Sequence, residues 1–197
     1  LGAYLIGSLS FAVIVSRAFG LADPRTYGSG NPGATNVLRS GSKAAAIVTL
    51  ALDAFKGWLP VMLIKWFGEP YGLGEGTQAL AGLAAFVGHL WPVFFRFAGG
   101  KGVATAAGVL LAFEPWLGVA VLASWLIIAF FFRYSSLASM VAALFAPAYY
   151  LLASGVVWTA APAKVYAMLA MGLLLILRHR ENIVRLLAGT ESKLGAK

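Results

Sequence analysis

The sequence predicts an all-α, polytopic integral membrane protein: one domain, residues 1–197, about seven transmembrane helices, N-terminus outside and C-terminus cytoplasmic. Three observations predict it. Hydrophobic residues make up 60% of the chain and charged residues 11%, a balance far from that of soluble domains. Runs such as 103–113, 116–132 and 137–152 carry no charge at all, as membrane spans require. The remaining charges segregate by side.

Residues 1–20 form the first apolar stretch. They lack the basic start of a signal peptide, and the later spans exclude a secreted product. Position 1 is not Met, so a few native residues are expected ahead of Leu1. The second stretch, 43–66, carries Asp53 and Lys56 three residues apart. A charge at this depth is costly unless paired, so a mutually neutralising structural pair is predicted. The third, 77–95, contains His89 ahead of Trp91-Pro92, expected to support a helix end by capping or hydrogen bonding. The fourth, 101–114, is short for a core of ~30 Å and is predicted to be tilted or to start deep in the protein. Stretches 115–132, 136–154 and 162–177 complete the set. Each is expected to be helical because lipid cannot satisfy an open backbone. Five full spans with re-entrant segments is the main competing arrangement.

Alternation of these stretches puts Arg17, Arg25, Arg39, Lys43, Arg96, Lys101, Arg133, Arg178, Arg180, Arg185, Lys193 and Lys197 on one side, 12 of the 15 basic residues. Glu69, Glu75, Glu114, Lys65 and Lys164 fall on the other. The positive-inside rule makes the first side cytoplasmic. In a membrane protein the net charge of +8 therefore reflects loops beside anionic lipid rather than a nucleic-acid partner. With no cysteine, disulfides and thiolate metal sites are excluded.

Three polar islands share the cytoplasmic side. The first is Gly28-Ser29-Gly30-Asn31-Pro32-Gly33-Ala34-Thr35-Asn36-Val37-Leu38-Arg39. Glycines such as Gly28 and Gly30 let backbone N–H groups form an anion nest. Ser29, Asn31, Thr35, Asn36 and Arg39 add hydroxyl, amide and guanidinium groups that suit a phosphate. The bland alternative is an interhelical turn. The second island contains Gly99-Gly100-Lys101-Gly102 opening into a helix. Free N–H groups, the helix dipole and Lys101 would together hold an anion. It is not a Walker A loop: Phe95 stands where the upstream glycine belongs, and Gly102 where Ser or Thr must follow the lysine. The third is Arg178-His179-Arg180-Glu181-Asn182 and onward to Glu191. A basic stop signal explains its arginines, but not His179 and Asn182, which share a helix face at i and i+3.

GSGNPGATNVLR, GHLWPVFFRFAGGKGVAT and RHRENIVRLLAGTESKLG resemble the three signature motifs of the bacterial acyl-phosphate:glycerol-3-phosphate acyltransferases, the PlsY family. The likeness covers nearly the whole chain, including Gly7-Ser8 and the stretch from Leu52 to Gly57. It implies an enzyme of the bacterial cytoplasmic (inner) membrane, active site facing the cytoplasm, at the first step of phospholipid synthesis. The acyl group would pass from a long-chain acyl phosphate to the 1-hydroxyl of sn-glycerol 3-phosphate, giving lysophosphatidic acid and phosphate. Carried across by position, the resemblance implies catalytic importance for Ser29 and Arg39 and a phosphate loop at Gly99, Gly100, Lys101 and Gly102. It also implies functional roles for His179 and Asn182, and a structural role for Glu181. It leaves room for a functional link to the enzyme that makes acyl phosphate. Departures from the family pattern are Ser10, Ala12, Pro32, Ala98, Val184 and Ser192, none of which removes a proposed catalytic group.

The chemistry fits this composition. Both substrates are phosphates, matched by Arg39, Lys101, Arg178 and Arg180. The donor is an activated anhydride, so no metal or cofactor is expected, and the loops are poor in the carboxylates of a two-metal site. Clamping phosphates and aligning the hydroxyl would do most of the work, with Ser29 or Asn31 as an oxyanion-type donor. His179 and a substrate phosphate both remain open as the base. Arg39→Ala and Lys101→Ala are expected to cost far more activity than Arg185→Ala. The His-x4-Asp motif common in thioester-dependent acyltransferases is absent: Phe94 follows His89 at that spacing, and Val184 follows His179. A phosphate transporter is the chief non-enzyme alternative, disfavoured because the polar islands lie on one side and no internal repeat is visible.

Overall fold

The structure, a computed structural model, describes residues 1–195. Among these are ten α-helices: α1 (Gly2–Gly7), α2 (Phe11–Ala18), α3 (Ala34–Leu38), α4 (Lys43–Phe67), α5 (Glu75–Leu90), α6 (Val103–Phe113), α7 (Pro115–Phe132), α8 (Ser135–Leu152), α9 (Pro162–Arg178) and α10 (Arg180–Leu187). All seven apolar stretches are helical, but two are not single spanning rods.

Residues 1–20 break between α1 and α2. The Ser8 hydroxyl donates back to the Tyr4 carbonyl at 2.8 Å. The Leu9 carbonyl, left without a helical partner, accepts from Lys56 Nζ at 2.6 Å. A broken backbone at membrane depth is tolerated when protein groups satisfy it in this way. The other exception is α6, whose 11 residues span only about 16 Å. The end of the loop ahead of it, Gly99 to Gly102, is drawn into the protein. Four helices are long and apolar enough to cross a membrane: α4, α5 with its 3-10 extension to Phe95, α7 and α8. Helix α9, 17 residues long, is slightly shorter, and it meets α10 at a 58° bend that turns Arg180, Glu181 and Arg185 to the cavity at the basic end.

Backbone closeness sets the packing. A Cβ at Gly57 would strike the Thr105 carbonyl, and one at Gly108 the Ala54 carbonyl, so α4 and α6 touch main chain to main chain. Gly7 and Gly88 do the same for α1 and α5. Small residues are what allows such approach in lipid, where there is little hydrophobic drive between helices. Phe86, Val109, Phe113, Leu117 and Tyr150 fill the centre and are fully buried. Helix α7 turns Trp116, Ile127, Phe130 and Phe131 outward, as expected of a helix apolar on every side and covered by lipid.

Contacts sort the charges into two ends. At one, Lys164 Nζ lies 2.5 Å from Glu75 and 3.4 Å from Glu114, and Lys65 donates to the Phe113 carbonyl. At the other, Arg39 meets Ser192, Arg178 meets the Gly99–Gly100 carbonyls, and Arg133 meets Leu194. This is the partition expected from sequence; Lys197 lies outside the described residues. Asp53 and Lys56 form the predicted pair, 2.7 Å apart and both buried.

Candidate functional site

At the basic end an open cavity of about 450 Å³ is lined by all three polar islands: Ser29, Gly30 and Asn31 from the first; Trp91, Gly99 and Lys101 from the second; Leu174, Leu177, Arg178, Arg180, Glu181 and Arg185 from the third. Four cations therefore face one space with a single carboxylate among them, a setting for an anion.

The first island is a loop closed by Asn36, in the middle of the short α3. The Asn36 amide donates to the Pro24 carbonyl at 2.6 Å and the Tyr27 carbonyl at 3.1 Å, while its Oδ1 accepts from Ser29 N at 3.0 Å and Arg39 Nη1 at 3.4 Å. Asn36 is buried and fully engaged, so it shapes the loop rather than offering a free amide to a substrate. Gly28 adopts φ +58° against Asn36 Oδ1; a side chain there would be strained and would collide. Thr35 is exposed beside the loop, not in the cavity. The Ser29 hydroxyl and the Asn31 amide are engaged by no described side chain or carbonyl and front the cavity. Arg39 Nη2 donates to Ser192 Oγ at 2.8 Å, which binds the first island to the third.

The second island is held from both flanks. Gly100 N donates to the His89 carbonyl at 3.2 Å. Arg178 Nε and Nη2 donate to the Gly100 and Gly99 carbonyls at 3.2 and 2.7 Å. Arg178, expected at the substrate, thus also splints the loop that would hold it. Gly102, at φ +83°, turns the chain into α6 against Phe86 and Leu90. Lys101 is left projecting, its Nζ donating to Asn182 Oδ1. Burial and the neighbouring Arg185 push its pKa down, and a bound phosphate would reverse that bias.

The third island hinges at His179, the junction of α9 and α10. His179 and Asn182 are both buried on one face, as their spacing requires. The His179 Nδ1 lies 2.8 Å from the Leu175 carbonyl. A carbonyl only accepts, so the proton sits on Nδ1 and Nε2 is the basic nitrogen. Burial pushes the imidazole pKa down to about 4. His179 does not line the cavity wall.

Sequence reasoning missed Glu191. Its Oε1 accepts from Asn182 Nδ2 at 2.6 Å and Ser136 Oγ at 2.7 Å, and its Oε2 from Arg185 Nε at 2.7 Å. These bonds outweigh burial and hold the carboxyl below its usual pKa. A chain of contacts therefore runs Lys101–Asn182–Glu191, with Ser136 and Arg185 as branches. The structural carboxylate of this island is Glu191; Glu181 is exposed on the cavity wall and takes part in none of these bonds. Nor is Arg185 a bystander, since it faces the cavity itself. The available signal was the segment Gly189-Thr190-Glu191, an acid in an otherwise basic tail.

Comparisons with known proteins bear on the family and the fold. A family model described as glycerol-3-phosphate acyltransferase matches residues 1–189. A relative named glycerol-3-phosphate acyltransferase from Albidiferax ferrireducens is 69% identical, over 98% of this chain and 87% of its own. One of the same name from Ralstonia pickettii is 64% identical over 100% of this chain and 93% of its own. The fold is similar to crystal structures of PlsY (YgiH), an integral membrane glycerol 3-phosphate acyltransferase. Its glycerol 3-phosphate form superposes with a TM-score of 0.88 at 39% identity, covering 98% of this chain and 92% of that one. Its lysophosphatidic acid form gives 0.86 at 38% identity, with the same coverage.

Proposed function

Since the chain belongs to the glycerol-3-phosphate acyltransferase family and is a membrane acyltransferase, we propose that it acylates the 1-hydroxyl of glycerol 3-phosphate with a long-chain acyl phosphate as donor. The observation that carries this reading is the convergence of the three polar islands on one cavity with four cations. Two substrates each bearing a phosphate need such a cluster.

The phosphate of glycerol 3-phosphate rests on the Gly99–Gly102 loop and Lys101. The donor phosphate is held by the first island and Arg39, with its acyl chain leading away past Trp91, Leu174 and Leu177. The hydroxyl oxygen attacks the acyl carbonyl carbon, the bond from that carbon to the phosphate oxygen breaks, and phosphate departs. Ser29 or Asn31 donates a hydrogen bond to the developing oxyanion, a contribution of about 3 kcal/mol. The hydroxyl proton passes to a phosphate oxygen, so the products are lysophosphatidic acid and hydrogen phosphate. A buried imidazole with a pKa of about 4 is a weak base for that proton; His179 instead ties the α9–α10 junction to the Leu175 carbonyl. The basic end faces the cytoplasm, where the positive-inside rule puts it.

The test is acyl transfer by purified protein in detergent or lipidic mesophase, with chelator present. Glycerol 3-phosphate is supplied with palmitoyl phosphate and, in parallel, with palmitoyl-CoA. Lysophosphatidic acid from acyl phosphate alone is the expected result; product from palmitoyl-CoA alone would overturn the donor assignment.

A further inference from the structure

We propose that the buried Asp53–Lys56–His89 set is the mould of the phosphate loop, with His89 a positioning residue specific to the glycerol 3-phosphate half of the site. This rests on the function proposed above and goes beyond it, since none of the three residues faces the cavity.

Asp53 and Lys56 are 2 and 1% exposed, inside α4. Two charges withdrawn from water cost several kcal/mol each even when paired, and apolar residues of similar size often serve stability as well. Neutralisation alone is therefore a weak reason for the pair. Its contacts supply a better one. Lys56 reaches across to the Leu9 carbonyl at the α1–α2 break, which anchors that break to α4. Asp53 Oδ1, the same oxygen that meets Lys56, lies 3.7 Å from His89 Nδ1 in the last turn of α5. That separation is too long for a hydrogen bond, but short enough to set the ring's orientation electrostatically in a buried setting. The set thus joins three segments that are remote in sequence.

The far edge of the His89 ring is what meets the loop. A Cβ at Gly100 would strike His89 Nε2 and lie 3.1 Å from its Cε1 and 2.9 Å from the Pro32 carbonyl. Gly99 is pressed against the His89 and Leu90 carbonyls. Gly100 thus sits where the imidazole and the first island meet, with its N–H on the His89 carbonyl and its own carbonyl on Arg178. Moving the ring would move Gly100, and with it the N–H groups and Lys101 that receive the phosphate. Ser29, Arg39 and the apolar wall of the cavity would stay in place.

The experiment uses the full chain, purified, with initial rates measured while each substrate is varied separately. His89→Ala should raise KM for glycerol 3-phosphate tenfold or more, leaving KM for palmitoyl phosphate within about twofold. Asp53→Asn should shift the same constant in the same direction by less. Gly100→Ala should be damaging in the parent and several-fold less so in the His89→Ala background, where the ring that its Cβ meets is gone. Equal rises in both KM values, a loss confined to kcat, or additive effects of His89→Ala and Gly100→Ala would overturn the proposal. If His89→Ala does not survive purification, His89→Gln takes its place. If neither does, Asp53→Asn decides by the same split between the two KM values. A parent protein inactive with acyl phosphate would defeat the function reading instead. Calorimetric binding of glycerol 3-phosphate to parent and His89→Ala then tests the mould separately: a tenfold weaker Kd supports it and an unchanged Kd overturns it.

Discussion

Two side chains at the third island govern its response to acid. His179 is held neutral, its pKa pushed down to about 4 by burial from an ordinary 6.5. Between those values the unfolded chain binds a proton that the folded one refuses, so stability falls as pH drops from about 6.5 to 4, by about 3 kcal/mol in all. Thermal melts at pH 7 and 4.5 should show a smaller acid loss for His179→Gln than for the parent. The rate should report a different group. With a phosphate oxygen taking the proton, the acid limb of kcat follows the titration of that substrate and should stay in place in His179→Gln. A limb near pH 4 that is lost in His179→Gln would return the role of base to His179. Glu191→Gln retains the size of the side chain but removes the charge that Arg185, Asn182 and Ser136 share. Such charge-assisted bonds contribute about 1.5–3 kcal/mol each, so the melting temperature should drop and KM for glycerol 3-phosphate should rise as Asn182 loses its orientation.

At the level of elements, the contrast between α6 and its neighbours carries the most. Its brevity was legible in sequence as a stretch too short to cross, and the structure shows why: the chain spends residues 99–102 on a loop packed against α5, α9 and the first island. The break between α1 and α2 was not legible. Ser8 and Ser10 sit in an apolar run, and nothing local announces that Lys56, 47 residues away, satisfies the Leu9 carbonyl. Glu191 escaped notice because the turn that folds it back onto Asn182 and Arg185, and its bond to Ser136, 55 residues earlier, have no helical spacing to announce them. Short-range spacing did predict the Asp53–Lys56 pair and the shared face of His179 and Asn182. Contact between α4 and α6 depends on Gly57 and Gly108. Gly108→Val should therefore push the helices apart, lowering the melting temperature and raising KM for glycerol 3-phosphate through the loop that α6 carries, as thermal melts and initial rates would show.

Across the whole molecule, charge decides orientation and apolar surface decides depth. Because the chain contains no cysteine, single cysteines at Lys193 and Glu69 can be labelled from one side of the membrane without background. Lys193→Cys should react only with reagents that reach the cytoplasm, and Glu69→Cys with those that do not. The reverse pattern would put the cavity on the opposite face. The seven apolar stretches and the gathering of the islands followed from hydropathy and alternation, whereas the division of labour inside each island needed coordinates. Lys101→Ala and Arg39→Ala should each lower kcat/KM at least a hundredfold in initial-rate assays, against little change for Arg17→Ala, which lies on exposed α2 away from the cavity.

The link from Lys101 through Asn182 to Glu191 also has a consequence in time. Every described helix precedes Glu191 in the chain, so during synthesis Glu191 emerges after all of them. Until then Asn182 and Arg185 lack their carboxylate partner. The last link in this chain of contacts is therefore also the last to be made.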